Sequence, residues 1–336
     1  MILLWGLAAE GPLARVRDEL AQMGVACLLV NQHDVLATEV RLEVGPEVCG
    51  YVRTPEARVA LEDVTAAYLR PYDSGAVPDV RSAGRPSAEW RHALTVEELL
   101  WSWADVTPAL VVNRASAMAA NGSKPFQAEL IRRFGFAVPG TLLTSDPTAA
   151  AAFWERHGEV IYKSVSGVRS IVSRLGPAHR ERLADVASCP TQFQAYVPGT
   201  EYRVHVVGEE LFVCRIVSEA TDYRYHGEHA VELCAAELPG EVADRCRSMA
   251  AAMELPVAGI DLRQTPDGDW YCFEVNPSPG FDYFQSRAGL PIAAAIARLL
   301  IAGAPPGRPA HTDGSVVSAA RALDPPDAIA VSGPPA

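Results

Sequence analysis

The segment Gly259-Ile260-Asp261-Leu262 is followed, across a Pro266-Asp267-Gly268-Asp269 turn, by Trp270-Tyr271-Cys272-Phe273-Glu274-Val275-Asn276-Pro277-Ser278-Pro279-Gly280. Two apolar runs around such a turn predict a β-hairpin. Side chains alternate along a strand, so Glu274 and Asn276 face one side and the partner strand brings Asp261 beside them. Three oxygen donors then converge. Such a set suits Mg2+, which takes one or two carboxylates and completes its octahedron with water and substrate phosphates. Two solvated acids beside a turn are the commoner fate of an Asp and a Glu. That reading is weakened here because Tyr271 to Val275 is largely apolar, which sets Glu274 against buried surface, where an unpaired carboxylate is costly.

The elements that must position this hairpin come from a chain of 336 residues, 49% hydrophobic and 21% charged, enough for two or three packed units. A net charge of -12 counts against nucleic acid or an anionic membrane as a general partner. An anionic ligand must therefore meet locally placed cations. The seven cysteines, at 27, 49, 189, 214, 234, 246 and 272, are odd in number and form no CxxC pair, which fits reduced thiols and a cytoplasmic protein. Met1 to Leu7 is apolar but has no basic residue before it, so it reads as a buried first strand rather than a signal peptide. Pro291 to Gly303 is too short to span a bilayer and contains Arg298; it reads as a core helix.

Along the chain, strands at Ile2 to Leu7 and Ala26 to Val30 enclose a helix at Pro12 to Met23, a βαβ start. Ala66 to Leu69 reads as a buried strand, Glu97 to Ala104 as a helix and Leu110 to Asn113 as a short strand. Beyond about Ser116 the pattern predicts a helix from Lys124 to Phe134, a strand at Thr141 to Thr144, a helix from Asp146 to about Trp154 and a strand at Val160 to Lys163. Strands then crowd together at Gln192 to Tyr196, Tyr202 to Val207 and Leu211 to Val217, with a Gly208-Glu209 turn. A helix at Glu241 to Met253 precedes the acidic hairpin. The Pro-, Ala-, Gly- and Ser-rich tail from Ala304 has little to pack and reads as disordered.

Lys163, Gln194-Ala195-Tyr196-Val197, Glu201, Asp261, Glu274 and Asn276, in this order, resemble the ATP-grasp enzymes. Together they look most like the RimK-like branch of amino-acid and peptide ligases, with the Glu274 to Gly280 run as the most specific element. The resemblance covers roughly residues 116 to 302. It implies an α/β (α+β) protein with the ATP-grasp fold: an N-terminal α/β pre-grasp domain at 1–115, a central lobe at 116–190, a C-terminal lobe with the metal site at 191–303, and the tail at 304–336.

The same resemblance implies a use for each residue. Lys124 and Lys163 meet the ATP phosphates; Lys163 directly follows apolar Val160-Ile161-Tyr162, whereas Lys124 lies in polar Asn121-Gly122-Ser123-Lys124. The loop Ser164 to Ser170 covers the phosphates, yet it holds only Gly167 where relatives have several glycines, which puts the role of Arg169 in question. Tyr196 and Val197 offer backbone contacts to adenine, Gln194 contacts its amino group, and Glu201 accepts from the ribose hydroxyls. Asp261, Glu274 and Asn276 hold Mg2+, which Mn2+ can replace. Arg215 stabilises the transferring phosphate and Arg203 binds phosphate or acceptor, with salt bridges to Glu219 or Asp222 as the alternative for both. His205, His226 and His229 have no metal-like company. Asp222 to Tyr225 and Phe281 to Phe284 read as substrate-facing loops or as aromatic packing.

The implied reaction is ATP-dependent carboxylate-amine ligation through an acyl phosphate, on an amino acid or peptide. Alternatives are ester or amide cross-linking within a ribosomal peptide, an ATP-grasp kinase, and a non-catalytic ATP-binding module; the intact metal set argues against the last. The expected partners are a carboxylate and a nucleophile, with no nucleic acid or membrane. A homo-oligomer is left open.

Overall fold

A computed structural model describes residues 1–164, 172–218 and 231–303. Residues 165–170 of the expected phosphate loop, Glu219, the Asp222 to Tyr225 loop, His226, His229 and the 304–336 tail lie outside the described residues.

Among the described residues the strands group into four sheets. The first is parallel, in the order β2 (Cys27–Asn31), β1 (Ile2–Gly6), β6 (Ala66–Arg70), β7 (Leu110–Val112). All five β1 residues are buried, as a continuous apolar run in a parallel sheet must be. Between β1 and β2, α1 (Gly11–Gln22) has Pro12 in its first turn and buries Leu13, Val16 and Leu20 on one face. Its first turn is capped by the Glu10 carboxylate, which accepts from Leu13 N–H at 2.8 Å.

Residues 39–60 form a second sheet, antiparallel, of β3 (Glu39–Val44), β4 (Val48–Arg53) and β5 (Arg58–Ala60). A search for apolar runs passes over it because most of its residues stay partly exposed and Val52 alone is buried within these strands. After α2 (Pro78–Ala83), α3 (Ala88–Val106) begins at Ala88 rather than Glu97. Ser87 sets that start: its hydroxyl accepts from Trp90 N–H at 3.0 Å.

The chain then runs through α4 (Ala115–Met118) and α5 (Lys124–Arg133) into the third sheet, whose order is β10-β9-β11-β8. Its members are β8 (Thr141–Thr144), β9 (Val160–Ser164), β10 (Ser173–Arg174) and β11 (Thr191–Ala195), covered by α6 (Pro147–His157) through Ala150 and Phe153.

The fourth sheet is antiparallel. It contains β12 (Thr200–Val207), β13 (Glu210–Ser218), β14 (Val231–Ala236), β15 (Val257–Gln264) and β16 (Trp270–Asn276), in the order β14-β13-β12-β15-β16. One face carries Val204, Val206, Val213, Ile260, Leu262 and Val275 onto α5 and onto α7 (Gly240–Ala252), which contributes Cys246 and Met249. On the other face Val207, Phe212, Cys214, Ile216 and Val257 meet α8 (Asp282–Ala288), α9 (Ile292–Ala302) and the N-terminal sheet. This core crosses the boundary expected at 115, because α9 packs Ile292, Ile296 and Leu300 with Leu4, Leu13 and Val16. Each such aliphatic side chain contributes about 1.5–3 kcal/mol on burial. Among the described residues no helix is long and apolar enough to cross a membrane, and all seven cysteines are free thiols.

Candidate active site

The acidic hairpin is β15 and β16. Its register pairs Asp261 with Glu274 and Gly259 with Asn276, so the three oxygen donors lie together on one face. The register shifts after Asp261, where Leu262 pairs with Cys272 and Phe273 is the extra residue of a bulge. Above the bulge, Val275 returns to the buried face while Glu274 and Asn276 stay on the polar one.

Each carboxylate has a cation. Lys124, the first residue of α5, donates from Nζ to Glu274 Oε1 at 2.5 Å and to Asn121 Oδ1 at 3.1 Å. Arg203 on β12 stands opposite Asp261 and donates from Nη1 to Asp261 Oδ1 at 2.6 Å. Its side chain is 8% exposed, against 39% for Asp261, so the guanidinium is the buried partner. A β-carbon at position 259 would collide with the Arg203 guanidinium and with Pro279; glycine there makes room for the arginine. Burial alone raises the Glu274 carboxyl, but the Lys124 charge and hydrogen bond, with the charges of Lys163 and Arg203, hold it below its ordinary value. Glu274 is thus an anion at neutral pH. Lys163, near the end of β9 and opposite Gln192, is close enough to Glu274 to share in that effect.

Buried polar residues that carry no obvious sequence signal fix the loop behind the acids. Gln127 Nε2 donates to Val275 C=O at 2.8 Å and Gln127 Oε1 accepts from Val275 N–H at 3.1 Å, so one side-chain amide satisfies the outer edge of β16 at Val275. Asn113, beyond β7, donates to Val257 C=O at 2.7 Å and to Pro277 C=O. Arg70, at the end of β6, binds Glu10 at 2.7 Å and donates to Ser278 Oγ at 3.1 Å and Pro279 C=O at 3.2 Å. The ends of β6 and β7 in the N-terminal sheet thereby hold the turn after Asn276, whose Oδ1 accepts from Ser278 N–H at 2.9 Å.

Among the described residues no three or more His, Cys, Asp or Glu side chains form a metal cage. Two carboxylates and one amide oxygen are instead the donor set that leaves an Mg2+ ion to be completed by water and phosphate, and they fit it. The neighbouring Lys124, Lys163 and Arg203 suit the excess negative charge that such an ion brings with its phosphates.

Arg215, expected at the transferring phosphate, stands apart from the acids. On β13 it pairs with Tyr202, whereas Arg203 pairs with Cys214, so the two arginines point to opposite faces of the sheet. Arg215 is exposed on the face of Val213 and Leu211, away from Asp261 and Glu274. Arg203 pairs with Asp261, while Glu219 and Asp222, its alternative partners, lie outside the described residues.

At the other end of the polar face, the segment expected to meet a base is partly engaged by the protein itself. Gln194 donates to Thr141 Oγ1 at 3.1 Å, and Tyr196 N–H donates to Glu159 C=O at 2.9 Å. Val197 C=O accepts from Arg263 Nη1 at 2.6 Å. Among the described residues, the Tyr196 carbonyl and the Val197 N–H are the backbone groups of this segment left to a ligand. Glu201 is ion-paired with Arg263, which lies two residues beyond Asp261 and on the same face. Arg263 was legible only through that two-residue spacing.

His205 is fully buried against Phe284, and burial, with Arg203 nearby, pushes its imidazole well below the ordinary value; it is a neutral core histidine. Phe281 and Phe284 are buried packing residues, and Asp282 pairs with Arg15 at 3.2 Å.

A family model described as the RimK-like ATP-grasp domain matches residues 124–300. A probable alpha-L-glutamate ligase of Picosynechococcus sp. is 24% identical over 215 residues, covering 61% of this chain and 71% of that protein. One of Xanthomonas oryzae pv. oryzae is 30% identical over 147 residues, and the match spans 43% of this chain and 46% of that relative, less than half of its length. Among solved structures, the ATP-grasp ligase PsnB complexed with minimal precursor, Mg and ADP superposes with a TM-score of 0.71 at 27% identity, over 90% of this chain and 96% of PsnB. The macrocyclase MdnC from Microcystis aeruginosa, bound with precursor peptide MdnA, gives 0.74 at 21% identity, over 90% and 99% of the two chains.

Proposed function

This chain belongs to the RimK-like ATP-grasp ligase family, and on that premise we propose that it activates a carboxylate with ATP and passes the acyl group to an amine, forming an amide. The observation that carries this reading is the convergence of Asp261, Glu274 and Asn276 with Lys124 and Arg203 on one sheet face, with Lys163 close by. Asp261, Glu274 and Asn276 would hold Mg2+, which, when bound, neutralises phosphate charge and polarises the transferring group. Lys124 and Lys163 bind phosphate oxygens. The Tyr196 carbonyl accepts from the adenine amino group while Val197 N–H donates to a ring nitrogen, and Glu201 accepts from the ribose.

A substrate carboxylate oxygen attacks the γ-phosphorus, the bond to the bridging oxygen breaks, and ADP leaves with that electron pair. Arg203 holds the anionic acceptor or the phosphate in line. The amine then attacks the acyl carbon, phosphate departs, and the nitrogen releases a proton. Free thiols and the use of ATP favour the cytoplasm as the compartment.

A second reading keeps the first step and changes the nucleophile: a hydroxyl or lysine of the same peptide closes an ester or amide cross-link. It is favoured by the likeness to PsnB and MdnC, solved with precursors, which runs over 90% of this chain and so through the N-terminal domain. Incubation with ATP, Mg2+ and hydroxylamine over a panel of amino acids and peptides, followed by mass spectrometry, tests both. A hydroxamate with ADP supports acyl transfer, and without hydroxylamine a gained residue marks intermolecular ligation whereas loss of one water marks the cross-link. A stable phosphomonoester would instead make the protein a kinase.

A further inference from the structure

Arg263 is placed where the nucleoside half of the proposed site must be built. Its side chain is 13% exposed and its guanidinium joins two groups that belong to different parts of that site. Nη1 donates to the Val197 carbonyl at 2.6 Å, on the segment that offers its backbone to the base, and Nη2 is ion-paired with Glu201 Oε1. Its carbon lies 5.1 Å from the centre of the Phe273 ring and 5.7 Å from that of Tyr196, whose ring also carries Arg174 at 3.8 Å. Close backbone approach completes the arrangement: a β-carbon at Gly199, which has φ 146°, would collide with the Gln264 carbonyl on the strand that bears Arg263.

The geometry has a chemical consequence. A guanidinium is a rigid planar fork, so the separation between the Val197 carbonyl and the Glu201 carboxylate is set by one covalent group. A carboxylate has two oxygens and about four lone-pair sites, so a bond from Arg263 to Oε1 leaves acceptor sites for two vicinal hydroxyls. Without that bond, Glu201 keeps several rotamers and its place relative to the base edge is no longer fixed.

We propose that Arg263 is a positioning residue for the ribose: by tying Glu201 to Val197 it aims the carboxylate at the vicinal hydroxyls and so makes the enzyme select ribonucleotides over 2′-deoxyribonucleotides. This rests on the reading of Glu201 as the ribose acceptor.

Calorimetric affinities of the full chain for ATP and 2′-deoxy-ATP, with Mg2+, test it in four proteins: the wild type, Glu201→Gln, Arg263→Met and Arg263→Lys. The wild type is expected to prefer ATP by about tenfold, the effect of one hydrogen bond to a charged acceptor. Arg263→Met reduces that preference to less than about twofold while affinity for 2′-deoxy-ATP changes little, a pattern that a merely structural role would not produce. Arg263→Lys, which keeps a stem and a charge but not the fork, loses the preference too and carries the test if the methionine variant fails to fold. A preserved ratio in either folded Arg263 variant, or tighter ATP binding on removing the guanidinium, overturns the proposal while leaving Glu201 as the ribose acceptor. Absence of any preference in the wild type, with none gained or lost in Glu201→Gln, removes the Glu201 reading and this inference together.

Discussion

Arg203 and Arg215 stand on the two strands of one hairpin, each among apolar neighbours, and end on opposite faces of the same sheet. Arg203 is buried against Asp261, in a strip that continues through Glu274, Asn276, Glu201 and Arg263. Arg215 is exposed on the far side, the face that carries Val204, Val213 and Ile260 onto α7. Residue type and local sequence are nearly the same for both. What separates them is strand parity, which assigns one arginine to the charged strip and the other to water. Substitutions should therefore sort by face rather than by charge.

The largest loss is expected at the acid nearest Lys124 and Lys163. Glu274→Gln should lower ADP formation at saturating ATP roughly 100-fold or more, because a metal clamp contributes several kcal/mol of charge stabilisation; near-normal turnover in a folded variant would remove Glu274 from the site. Arg203→Met leaves Asp261 without its cation and should reduce kcat/KM by about 30-fold, equivalent to about 2 kcal/mol. That loss should appear mainly with the carboxylate as the varied substrate, and a loss confined to thermal stability would make Arg203 structural. Lys163→Ala should weaken ATP binding by about 2 kcal/mol while hardly moving the melting temperature of the nucleotide-free protein. Unchanged calorimetric affinity would shift the phosphate contact elsewhere. The smallest effect belongs to the other face: Arg215→Ala should leave kcat/KM within about twofold, as expected of an exposed charge, and a large drop there would break the comparison.

How much of this was legible depends on what each inference required. Alternation alone puts Glu274 and Asn276 on one face, but counting out from the turn would pair Asp261 with Phe273; the bulge at Phe273, which carries no local sequence signal, is what brings Asp261 opposite Glu274. The face of Arg215 was also legible: a Gly208-Glu209 turn that pairs Val207 with Glu210 pairs Arg203 with Cys214, not with Arg215, yet a reading by strand alone does not count register. Arg263 shares the parity of Asp261, but its hold on Val197 and Glu201 depends on how the chain returns past Pro198 and Gly199. Gln127, Asn113 and Arg70 lie far from β16 in sequence and become supports of the site only when packing brings them to it. Residues 39–60 escape detection for a different reason, since a sheet with so few buried side chains leaves little apolar signature.

The claim that the Arg203 face is the metal-nucleotide site is tested most directly by titrating Mn2+ into the protein with ADP and following free Mn2+ by electron paramagnetic resonance. The wild type and Arg215→Ala are expected to show the same nucleotide-dependent Mn2+ binding, and the Asp261→Asn, Glu274→Gln double variant, folded by circular dichroism, none beyond that of ADP alone. Undiminished binding in the double variant, or its loss in Arg215→Ala, would contradict the account.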